Sequence, residues 1–596
     1  MEGFIYRVVN FLEHPRLPYR LALVSILLTA PSLWVGFHLD DNVGRFLLAG
    51  VADPTAKQLL EAYGSPYGIA NGKPASNLWQ IEHGFAPFWT YEKLLISLWR
   101  PLSEFTHRID FYLTPDSSFE MHAHGLLWFA ALVIAVTALY RKLMGVTTVA
   151  GVASLLFAID HTHGFTVGYM ANRNATIALF FGALTLYFHD HWRTKESKKA
   201  ALLAPMFFLC GLLSGESAVA IFGYLTAYTV FLDFGSLRRR ITGLLPSLAV
   251  LSLWQVYYSS AGYGARGSGL YIDPIHEPIQ FACAMCERIP VLALGQLLLP
   301  PAEAYNYAPK ALAVAIWIGA LVFLLSFIAV ALPLILRDAL ARFWALGSFL
   351  SLIPICTSHP NNRLLFYVGL GAMALLAQLW HGLVDHADWL LECKLWRRFA
   401  HGLIAVVTAF HLFISPLLLP FSACSILLSS AVNRAVERIS NEAGLKDTDL
   451  VIVNSPDYFL VKLIPMFIAL EERPKPRRLR ALSFGPIAIE ITRLNTNTLS
   501  VFYRGGILQT PLLELYRDAD IPMHKGEGID LQGLRIEVTE ITRDGRASRV
   551  EFRFDDNLDD ESFRWMKWDG EFYVPFQPPA VGATVNLPPA VVPYGF

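Results

Sequence analysis

Long apolar runs separated by short polar segments dominate the chain up to about residue 420. A helix needs roughly 20 apolar residues to cross a bilayer core of about 30 Å, and several of these runs are shorter than that. The pattern predicts a polytopic α-helical membrane protein with about eleven transmembrane helices. The runs lie near residues 21–37, 125–140, 145–159, 174–188, 200–213, 217–232, 241–258, 311–336, 343–357, 364–380 and 399–420.

Lys and Arg residues fall in alternate connections between these runs, as Arg141 and Lys142 do after the second run. Because short basic loops stay on the cytoplasmic side, the alternation predicts a cytoplasmic amino terminus. Asp40 and everything after residue 421 are then extracytoplasmic, and the predicted location is a bacterial inner membrane. The short proline-flanked piece 290–300 is interpreted as a re-entrant or interfacial helix.

After residue 421 the pattern becomes that of a soluble domain. Apolar and polar residues alternate from Leu534 to Thr542, which predicts a β-strand, and a continuous apolar stretch from Tyr458 to Leu470 predicts a helix. The chain is therefore divided into a transmembrane domain and a soluble domain. The transmembrane domain is residues 1–420 and includes a large first extracytoplasmic loop, residues 38–120. The soluble domain is residues 421–596, an extracytoplasmic α/β to β-rich domain with a proline-rich tail that includes Pro578 and Pro593.

Composition supports the membrane class and excludes others. The chain has 596 residues, of which 54% are hydrophobic and only 16% are charged, too apolar for an ordinary soluble enzyme. Its formal net charge of −1 does not provide the basic face that nucleic acid requires. We expect membrane lipids among its partners and no nucleic acid.

An acidic pair, Asp40 and Asp41, is separated by only two residues from the end of the first apolar run. Charged groups near a membrane usually face a cavity, because exposure to hydrocarbon is costly. A carboxylate at this place could accept a proton from an attacking hydroxyl, and an arginine of the same loop could bind a lipid phosphate through two hydrogen bonds. The alternative is that both carboxylates simply solvate the end of the helix.

Histidines and one aspartate cluster on the predicted extracytoplasmic side. Asp160, His161 and His163 follow the third run, while His122 and His124 precede the second. Imidazole and carboxylate ligands suit a divalent metal such as zinc or manganese. The favoured alternative is a set of interfacial histidines hydrogen-bonded to loops, because the His-x-His spacing fixes no metal geometry.

Several separate segments stand in order over residues 20 to 380: Phe37-His-Leu-Asp-Asp, Trp99-Arg-Pro-Leu-Ser, Ile109-Asp-Phe-Tyr-Leu, Met121-His-Ala-His, Phe157-Ala-Ile-Asp-His-Thr-His, Ala171-Asn-Arg, Leu213-Ser-Gly-Glu and Asn362-Arg-Leu-Leu-Phe. In this order they resemble the GT-C superfamily of polyprenyl-phosphate-sugar-dependent glycosyltransferases, in particular its branch of transmembrane O-mannosyltransferases. The resemblance makes residues 1–420 a GT-C-like transmembrane domain. The resemblance implies that the first-loop acidic pair serves catalysis. It also implies a lipid-phosphate sugar donor and a reaction on the non-cytoplasmic face.

The chain also departs from that family. Where the family reads His-Pro-x-His-x-Glu, this chain has Asp160-His-Thr-His-Gly-Phe, and where Ser-Lys-Glu is common it has Ser214-Gly-Glu. The family's tetratricopeptide repeats are absent. A missing lysine and a missing carboxylate remove groups that could stabilise charge during transfer, which weakens the case for activity.

Two hypotheses follow. The first is an integral-membrane glycosyltransferase in which Asp40 is the general base and Asp41 orients it or binds a cation. The second is a catalytically degenerate GT-C scaffold, an assembly subunit of a larger membrane complex whose C-terminal domain binds a protein partner. A transporter is less favoured, because no symmetric pair of broken helices is visible in the sequence. For the first hypothesis the predicted substrate-binding residues are Arg100, Arg173 and Arg363 for the donor phosphate, with His122 and Glu216.

Overall fold

The computed structural model describes residues 2–384, 393–442 and 444–592. Its α-helices are α1 (Glu2–Glu13), α2 (Leu17–Thr29), α3 (Asp40–Leu48), α4 (Pro54–Tyr63), α5 (Pro74–Glu82), α6 (Pro101–Leu113), α7 (Ser118–Met144), α8 (Thr148–Ala158), α9 (Gly164–Gly168), α10 (Arg173–Lys195), α11 (Lys198–Ser214), α12 (Ala220–Phe231), α13 (Leu237–Ser260), α14 (Pro278–Leu297), α15 (Ala304–Tyr307), α16 (Lys310–Arg337), α17 (Ala339–Ile355), α18 (Phe366–Val384), α19 (Lys394–Ala409), α20 (Ser415–Ala423), α21 (Ser430–Ser440) and α22 (Tyr458–Leu470).

The strands are short: three lie within the first 266 residues, between helices, and ten lie after residue 448. They are β1 (Ala70–Asn71), β2 (Leu95–Ser97), β3 (Gly264–Arg266), β4 (Asp449–Ile452), β5 (Arg478–Ala481), β6 (Ile489–Arg493), β7 (Thr498–Tyr503), β8 (Gly528–Leu531), β9 (Leu534–Ile541), β10 (Ala547–Phe554), β11 (Phe563–Trp568), β12 (Tyr573–Pro575) and β13 (Thr584–Leu587).

The chain forms two compact units. Unit 1 contains most of the long apolar helices, and unit 2 contains all the strands just given. The predicted first loop is divided between them, since its residues up to Leu98 belong to unit 2 and α6 belongs to unit 1. Unit 1 is Met1–Gly36, Trp99–Ser260 and Asp273–Ile426; unit 2 is Phe37–Leu98, Ala261–Ile272 and Leu427–Phe596.

Each of the predicted apolar runs is helical, which confirms the polytopic helical class. Helix α8 has only 11 residues, however, and at 1.5 Å per residue it is about 16 Å long. The full set of about eleven crossings stays a prediction. Among the described residues, 6 stretches are long and apolar enough to cross a membrane: Leu17–Trp34, Ser118–Met144, Leu237–Ser260, Lys310–Arg337, Phe366–Val384 and Lys394–Ser440.

The proline-flanked segment near residue 290 differs from the prediction. Helix α14 begins at Pro278 and continues for 20 residues through Pro290, so the expectation of a short helix bounded by Pro290 was wrong. Proline is well suited to the first turn of a helix, which explains the early start. Cys283 and Cys286 lie on α14 as exposed free thiols.

Unit 2 contains two larger sheets. The first is antiparallel with strand order β13-β6-β7-β10-β9-β8, and the second is mixed with order β12-β11-β4-β5. Strand β6 alternates buried and partly exposed residues, as an antiparallel strand with one covered face does. Strand β4 is buried throughout, since it has parallel neighbours on both sides. The predicted β-rich soluble region is confirmed, and its tail contributes β13; Pro593 lies outside the described residues.

The hydrophobic core of unit 2 joins two distant parts of the sequence. Phe46, Tyr63 and Trp89 come from the first loop, and each is at most 1% exposed. They share one cluster with Ile464 on α22 and Phe484 after β5. Burial of large side chains from both segments makes them one folding unit.

Candidate functional site

The acidic pair forms the first two residues of α3. The main-chain N–H of His38 donates to Asp41 Oδ2 at 3.2 Å, and Asp41 is only 5% exposed. Asp40, in contrast, is exposed. Negative side chains are favoured at a helix N-terminus because the helix dipole is positive there. The pair therefore consists of a buried carboxylate that holds the turn and a carboxylate exposed on the surface of unit 2.

The residue immediately before Asp40 has a strained backbone. Leu39 has a φ of 41° and a ψ of −111°, a combination that a residue with a branched side chain rarely adopts. Strain of this kind costs about 1–3 kcal/mol and is concentrated at functional sites. The turn that presents Asp40 is thus maintained by its surroundings against a local penalty.

Hydrogen bonds from α21 and the turn before it hold that strained segment. Asn433 Nδ2 donates to the carbonyl oxygen of Phe37 at 2.7 Å, and Asn42 Nδ2 donates to Asn433 Oδ1 at 3.3 Å. Ser429 Oγ lies 2.9 Å from Nδ1 of the buried His38. All five residues belong to unit 2. Sequence reasoning missed this network, because nothing in the local pattern links residues nearly four hundred positions apart.

A buried lysine lies beside α3 on the adjoining helix α22. Lys462 is 1% exposed, and its Nζ is 4.3 Å from the ring centroid of Phe459 and 5.9 Å from that of Tyr63. Burial lowers the pKa of Lys462, while the negative charges of Asp40 and Asp457 act in the opposite direction. Sequence analysis missed Lys462, although it is the single charged residue within an otherwise apolar helix.

Asp457 supplies the second negative charge near Lys462. It is the N-cap residue of α22, where its Oδ1 accepts the main-chain N–H of Phe459 at 2.8 Å. Burial raises the pKa of Asp457 to about 6, against the hydrogen bond from Phe459 and the charge of Lys462. Because α22 follows β4 and leads into the parallel strand β5, Asp457 and Lys462 stand after the carboxyl end of a sheet strand, a common position for functional groups.

In unit 1, Arg173 is part of a buried ion pair. Its guanidinium contacts the carboxylate of Asp110 and donates to the carbonyl oxygen of Met121 at 2.9 Å, and Arg173 is 2% exposed. His124 Nδ1 lies 2.6 Å from the other oxygen of Asp110. The charge of Arg173 is already balanced by protein, so this residue is poorly suited to the donor phosphate.

The other predicted residues of unit 1 form two separate contacts. Arg100 Nε donates to Glu216 Oε2 at 2.7 Å, and both side chains are partly buried. His122 Nε2 lies 3.1 Å from the carbonyl oxygen of Gly36. The structure therefore brings together Arg100 and Glu216, which were predicted from motifs more than a hundred residues apart.

Arg363 is the remaining predicted cation. It lies in the short turn Asn362–Leu364, and its main-chain N–H donates to Asn361 Oδ1 at 3.0 Å. Asn362 fixes this turn, since its Oδ1 accepts the N–H of Ala302 at 3.0 Å. Within the described ranges of the chain, the guanidinium of Arg363 has no ion-pair partner. Of the three arginines predicted for the donor phosphate, Arg363 is the one whose charge is balanced by no carboxylate among the residues that the structure describes.

The predicted metal ligands are engaged in other contacts. Asp160 Oδ2 accepts Gln296 Nε2 at 2.7 Å, and its Oδ1 lies 3.5 Å from His161 Nδ1. The ring of His163 packs against three phenylalanines, with centroid separations of 4.4 to 5.7 Å. No group of three metal-ligating side chains is found among the residues that the structure describes. The geometry favours hydrogen-bonded and packed histidines.

The predicted site residues are distributed over both units. Asp40 and Asp41 belong to unit 2, together with Lys462. The remaining ones belong to unit 1: Arg100, His122, Asp160, His161, His163, Arg173, Glu216 and Arg363. The fold defines the class of protein, an integral membrane protein of many helices with a β-rich C-terminal region.

Comparisons with known proteins add similar structures but no close relative. No family model and no curated protein matches the chain. Among solved structures, the Archaeoglobus fulgidus oligosaccharyltransferase tethered to an acceptor peptide with the NVT sequon is 13% identical, with a TM-score of 0.41; the match covers 78% of this chain and 63% of that one. ArnT from Cupriavidus metallidurans bound to undecaprenyl phosphate is 12% identical with a TM-score of 0.34, covering 76% of this chain and 88% of that one.

The apo form of the same ArnT is 10% identical with a TM-score of 0.35, covering 76% of this chain and 84% of that one. The oligosaccharyltransferase and ArnT are GT-C glycosyltransferases, the superfamily that the motifs of this chain resemble. The chain spans about 63% of the length of the oligosaccharyltransferase. TM-scores this low carry no inference about the activity of this chain.

Proposed function

We propose that the chain is an integral-membrane glycosyltransferase that uses a polyprenyl-phosphate-linked sugar donor on the extracytoplasmic face of a bacterial inner membrane. The observation that carries the proposal is the exposed carboxylate of Asp40, presented on the strained turn at Leu39 and backed by the buried Asp41. The surrounding motif resembles the catalytic segment of GT-C glycosyltransferases. A simple solvating residue would not need a strained turn and a dedicated hydrogen-bond network.

In the proposed reaction an acceptor hydroxyl transfers its proton to Asp40 as its oxygen bonds to the anomeric carbon of the sugar. The bond between that carbon and the phosphate oxygen breaks at the same stage, and the lipid phosphate leaves with the bonding electron pair. Arg363 is the best-suited cation for the phosphate, because guanidinium groups bind phosphate through two hydrogen bonds. Arg100 with Glu216, and His122, remain proposed contacts of the substrate.

A second candidate function is a scaffold that performs no transfer and binds a protein partner through its C-terminal region. Two specific contacts favour it: Arg173 is bound to Asp110 and Arg100 to Glu216. A chain that balances two of its three candidate phosphate-binding charges internally has less capacity to hold an anionic donor. Gly215 stands where the resembling family commonly has a lysine, so one more positive charge that could bind the donor phosphate is missing, which also favours the scaffold.

The variant Asp40→Asn distinguishes the two candidates. Asparagine preserves the shape of the side chain but cannot accept a proton, and loss of a positioned base costs about 100-fold to 10,000-fold in rate. The measurement is sugar transfer from polyprenyl-phosphate-linked donors in membranes that contain equal amounts of each variant. The matched control is Asp520→Asn, which removes another exposed carboxylate of unit 2.

A glycosyltransferase would lose transfer in Asp40→Asn and keep it in Asp520→Asn, with unchanged expression of both. Equal transfer in both variants would remove Asp40 as the base. If no donor supports transfer by the unmodified chain while its complexes with other membrane proteins survive Asp40→Asn, the scaffold is the correct alternative.

A further inference from the structure

The polarity of α6 is the reverse of that of a helix on a water-facing surface. A helix on such a surface buries its apolar stripe, whereas α6 buries a mostly polar face and exposes a mostly apolar one. Large apolar side chains that are exposed together mark a binding surface. The apolar side chains that are exposed or partly exposed are Phe105, Ile109, Tyr112 and Leu113, and the buried polar ones are Ser103, Thr106, His107 and Asp110.

Contacts of the buried face fix the rotation of α6 about its axis. In the first turn, Ser103 Oγ donates to the carbonyl oxygen of Ser214 at 2.8 Å. Two turns later, the carboxylate of Asp110 contacts the guanidinium of Arg173 on α10 and lies 2.6 Å from Nδ1 of His124 on α7. Breaking a buried ion pair is strongly destabilising. The helix therefore cannot turn its apolar face toward the protein without losing these contacts.

Aromatic pairs at the ends of candidate membrane spans lie beside both ends of α6. Before the helix, the rings of Trp99 and Tyr257 have centroids 4.3 Å apart, and Tyr257 belongs to the last turn of α13. After it, Phe119 at the start of α7 contacts Trp34, the last residue of the first span, with centroids 5.8 Å apart. Because Trp and Tyr concentrate where spans leave the bilayer, these pairs place both ends of α6 near one bilayer surface.

A helix with both ends at one bilayer surface runs along that surface. The 13 residues of α6 extend about 20 Å at 1.5 Å per residue, so its whole length stays near the lipid headgroups. On α7, Leu127 is exposed about two turns beyond Phe119, as expected of a residue that faces the lipid core. The exposed Arg108 on α6 borders the apolar face and is suited to lipid phosphate.

We propose that α6 is an interfacial helix whose apolar face inserts between the headgroups and the upper acyl chains of a phospholipid bilayer, while the buried contacts of Asp110 hold that face outward. The inference concerns the surface of unit 1 and does not depend on the proposed transfer reaction. It places the pair of Asp110 and Arg173, on the opposite face of the helix, close to the level of the headgroups.

The first test measures the depth of single fluorescent labels on the full chain in vesicles of phosphatidylethanolamine and phosphatidylglycerol. Each variant carries one cysteine in a chain whose 6 natural cysteines are replaced by serine. Phe105→Cys and Tyr112→Cys report on the apolar face. Leu127→Cys is the reference for lipid, and Lys525→Cys, exposed in unit 2, is the reference for water. The quenchers are a lipid with a nitroxide near the headgroup, a lipid with a nitroxide in mid-chain, and iodide on both sides of the membrane.

The labels at positions 105 and 112 should lie about 5–10 Å below the headgroup boundary and be quenched most strongly by the shallow nitroxide. The label at position 127 should respond most to the mid-chain nitroxide, and the label at position 525 to iodide alone. If the two labels on α6 behave like the one at position 525, the proposal is wrong. Protection of both from all three quenchers would also overturn it, and would indicate that a second copy of the chain covers the face.

The second test asks whether apolar character causes the insertion. Phe105→Lys and the matched control Phe105→Leu are introduced into the chain that is labelled at position 112. Because Phe105 is 59% exposed, neither change should unfold the protein. Phe105→Lys should decrease quenching by the shallow nitroxide and increase quenching by iodide, while Phe105→Leu should leave both unchanged. The same quenching in both variants would contradict an insertion that is driven by the apolar face.

Discussion

Arg480 on β5 forms an ion pair with Glu82 at the end of α5, with Nη2 2.5 Å from Oε1. Arg480 is 5% exposed, and Glu82 Oε2 also accepts the main-chain N–H of Gln532 at 3.0 Å. The pair joins the first loop to both sheets of the C-terminal region inside unit 2. The ion pair therefore joins the same segments that are also held together by the shared hydrophobic core.

Breaking this pair from either side should destabilise unit 2. Arg480→Met and Glu82→Gln should each cost about 3 kcal/mol, because a buried partner is left uncompensated, and the double variant should cost less than their sum. Thermal unfolding of the full chain in detergent provides the measurement. Arg535→Met is the control, since its pair with Asp530 is exposed and should contribute less than about 1 kcal/mol. Equal effects of all single variants would contradict the assignment.

Arg363 and Arg173 should respond differently to substitution. Arg363→Gln removes a charge that no carboxylate of the described chain balances, so folding should persist while KM for a polyprenyl-phosphate sugar rises by about tenfold or more. Arg173→Gln removes the buried partner of Asp110 and should lower the unfolding midpoint clearly. Comparison of KM with the unfolding midpoint for both variants tests the distinction. A destabilised Arg363→Gln with normal KM would exclude Arg363 from donor binding.

Several elements could be predicted from local pattern alone. Helix α22 spans Tyr458–Leu470, as the apolar run predicted, and Asp457 caps it. Strand β9 follows the predicted alternation closely. Strand β13 was missed because the prolines on both sides of it resemble an extended tail, whereas its main chain pairs antiparallel with β6. Local periodicity thus identifies helices and strands whose apolar pattern is pronounced. It fails for a strand such as β13, whose structure depends on hydrogen bonds to a distant strand.

The candidate site was only partly predictable for the same reason. Asp40 and Asp41 stand out in the sequence because they follow an apolar run. The pairing of Arg173 with Asp110 joins residues 63 positions apart, and such a contact leaves no periodic trace. Lys462 is a visible exception in an apolar helix, but only its burial and the packing of α22 on α3 connect it to the acidic pair.

Asp457 should make the stability of unit 2 decrease as the pH rises through the titration range of its carboxyl group. Burial raises the pKa of Asp457 to about 6, compared with about 3.9 in an unfolded chain. Between those two pKa values the folded state binds more protons at Asp457 than the unfolded state does. The contribution of Asp457 to the free energy of unfolding therefore falls as the pH rises from about 4 to about 6, and it is constant above that range. Asp457→Asn retains a capping side chain and removes this titration. The midpoint of Asp457→Asn relative to the unmodified chain should therefore rise across this window; a constant difference would contradict the assigned titration.

The shared core of unit 2 also makes a prediction about topology. Phe46 and Ile464 pack in one hydrophobic cluster, so the first loop and the C-terminal region must lie on the same side of the membrane. The alternation of basic loops predicts that this side is extracytoplasmic. Lys57 and Lys525 are exposed positions in the two segments and are suitable sites for single cysteines.

The test is labelling of intact cells with a membrane-impermeant maleimide, using Lys57→Cys and Lys525→Cys in a chain whose natural cysteines are replaced by serine. That replacement is needed because Cys283, Cys286 and Cys393 are exposed and would react themselves. Both engineered sites should label without permeabilisation. Labelling of one site alone would contradict the shared core, because a single compact unit cannot be divided by the bilayer. Labelling of both sites only after permeabilisation would retain the core and reverse the orientation, which would remove the extracytoplasmic reaction from the proposed function.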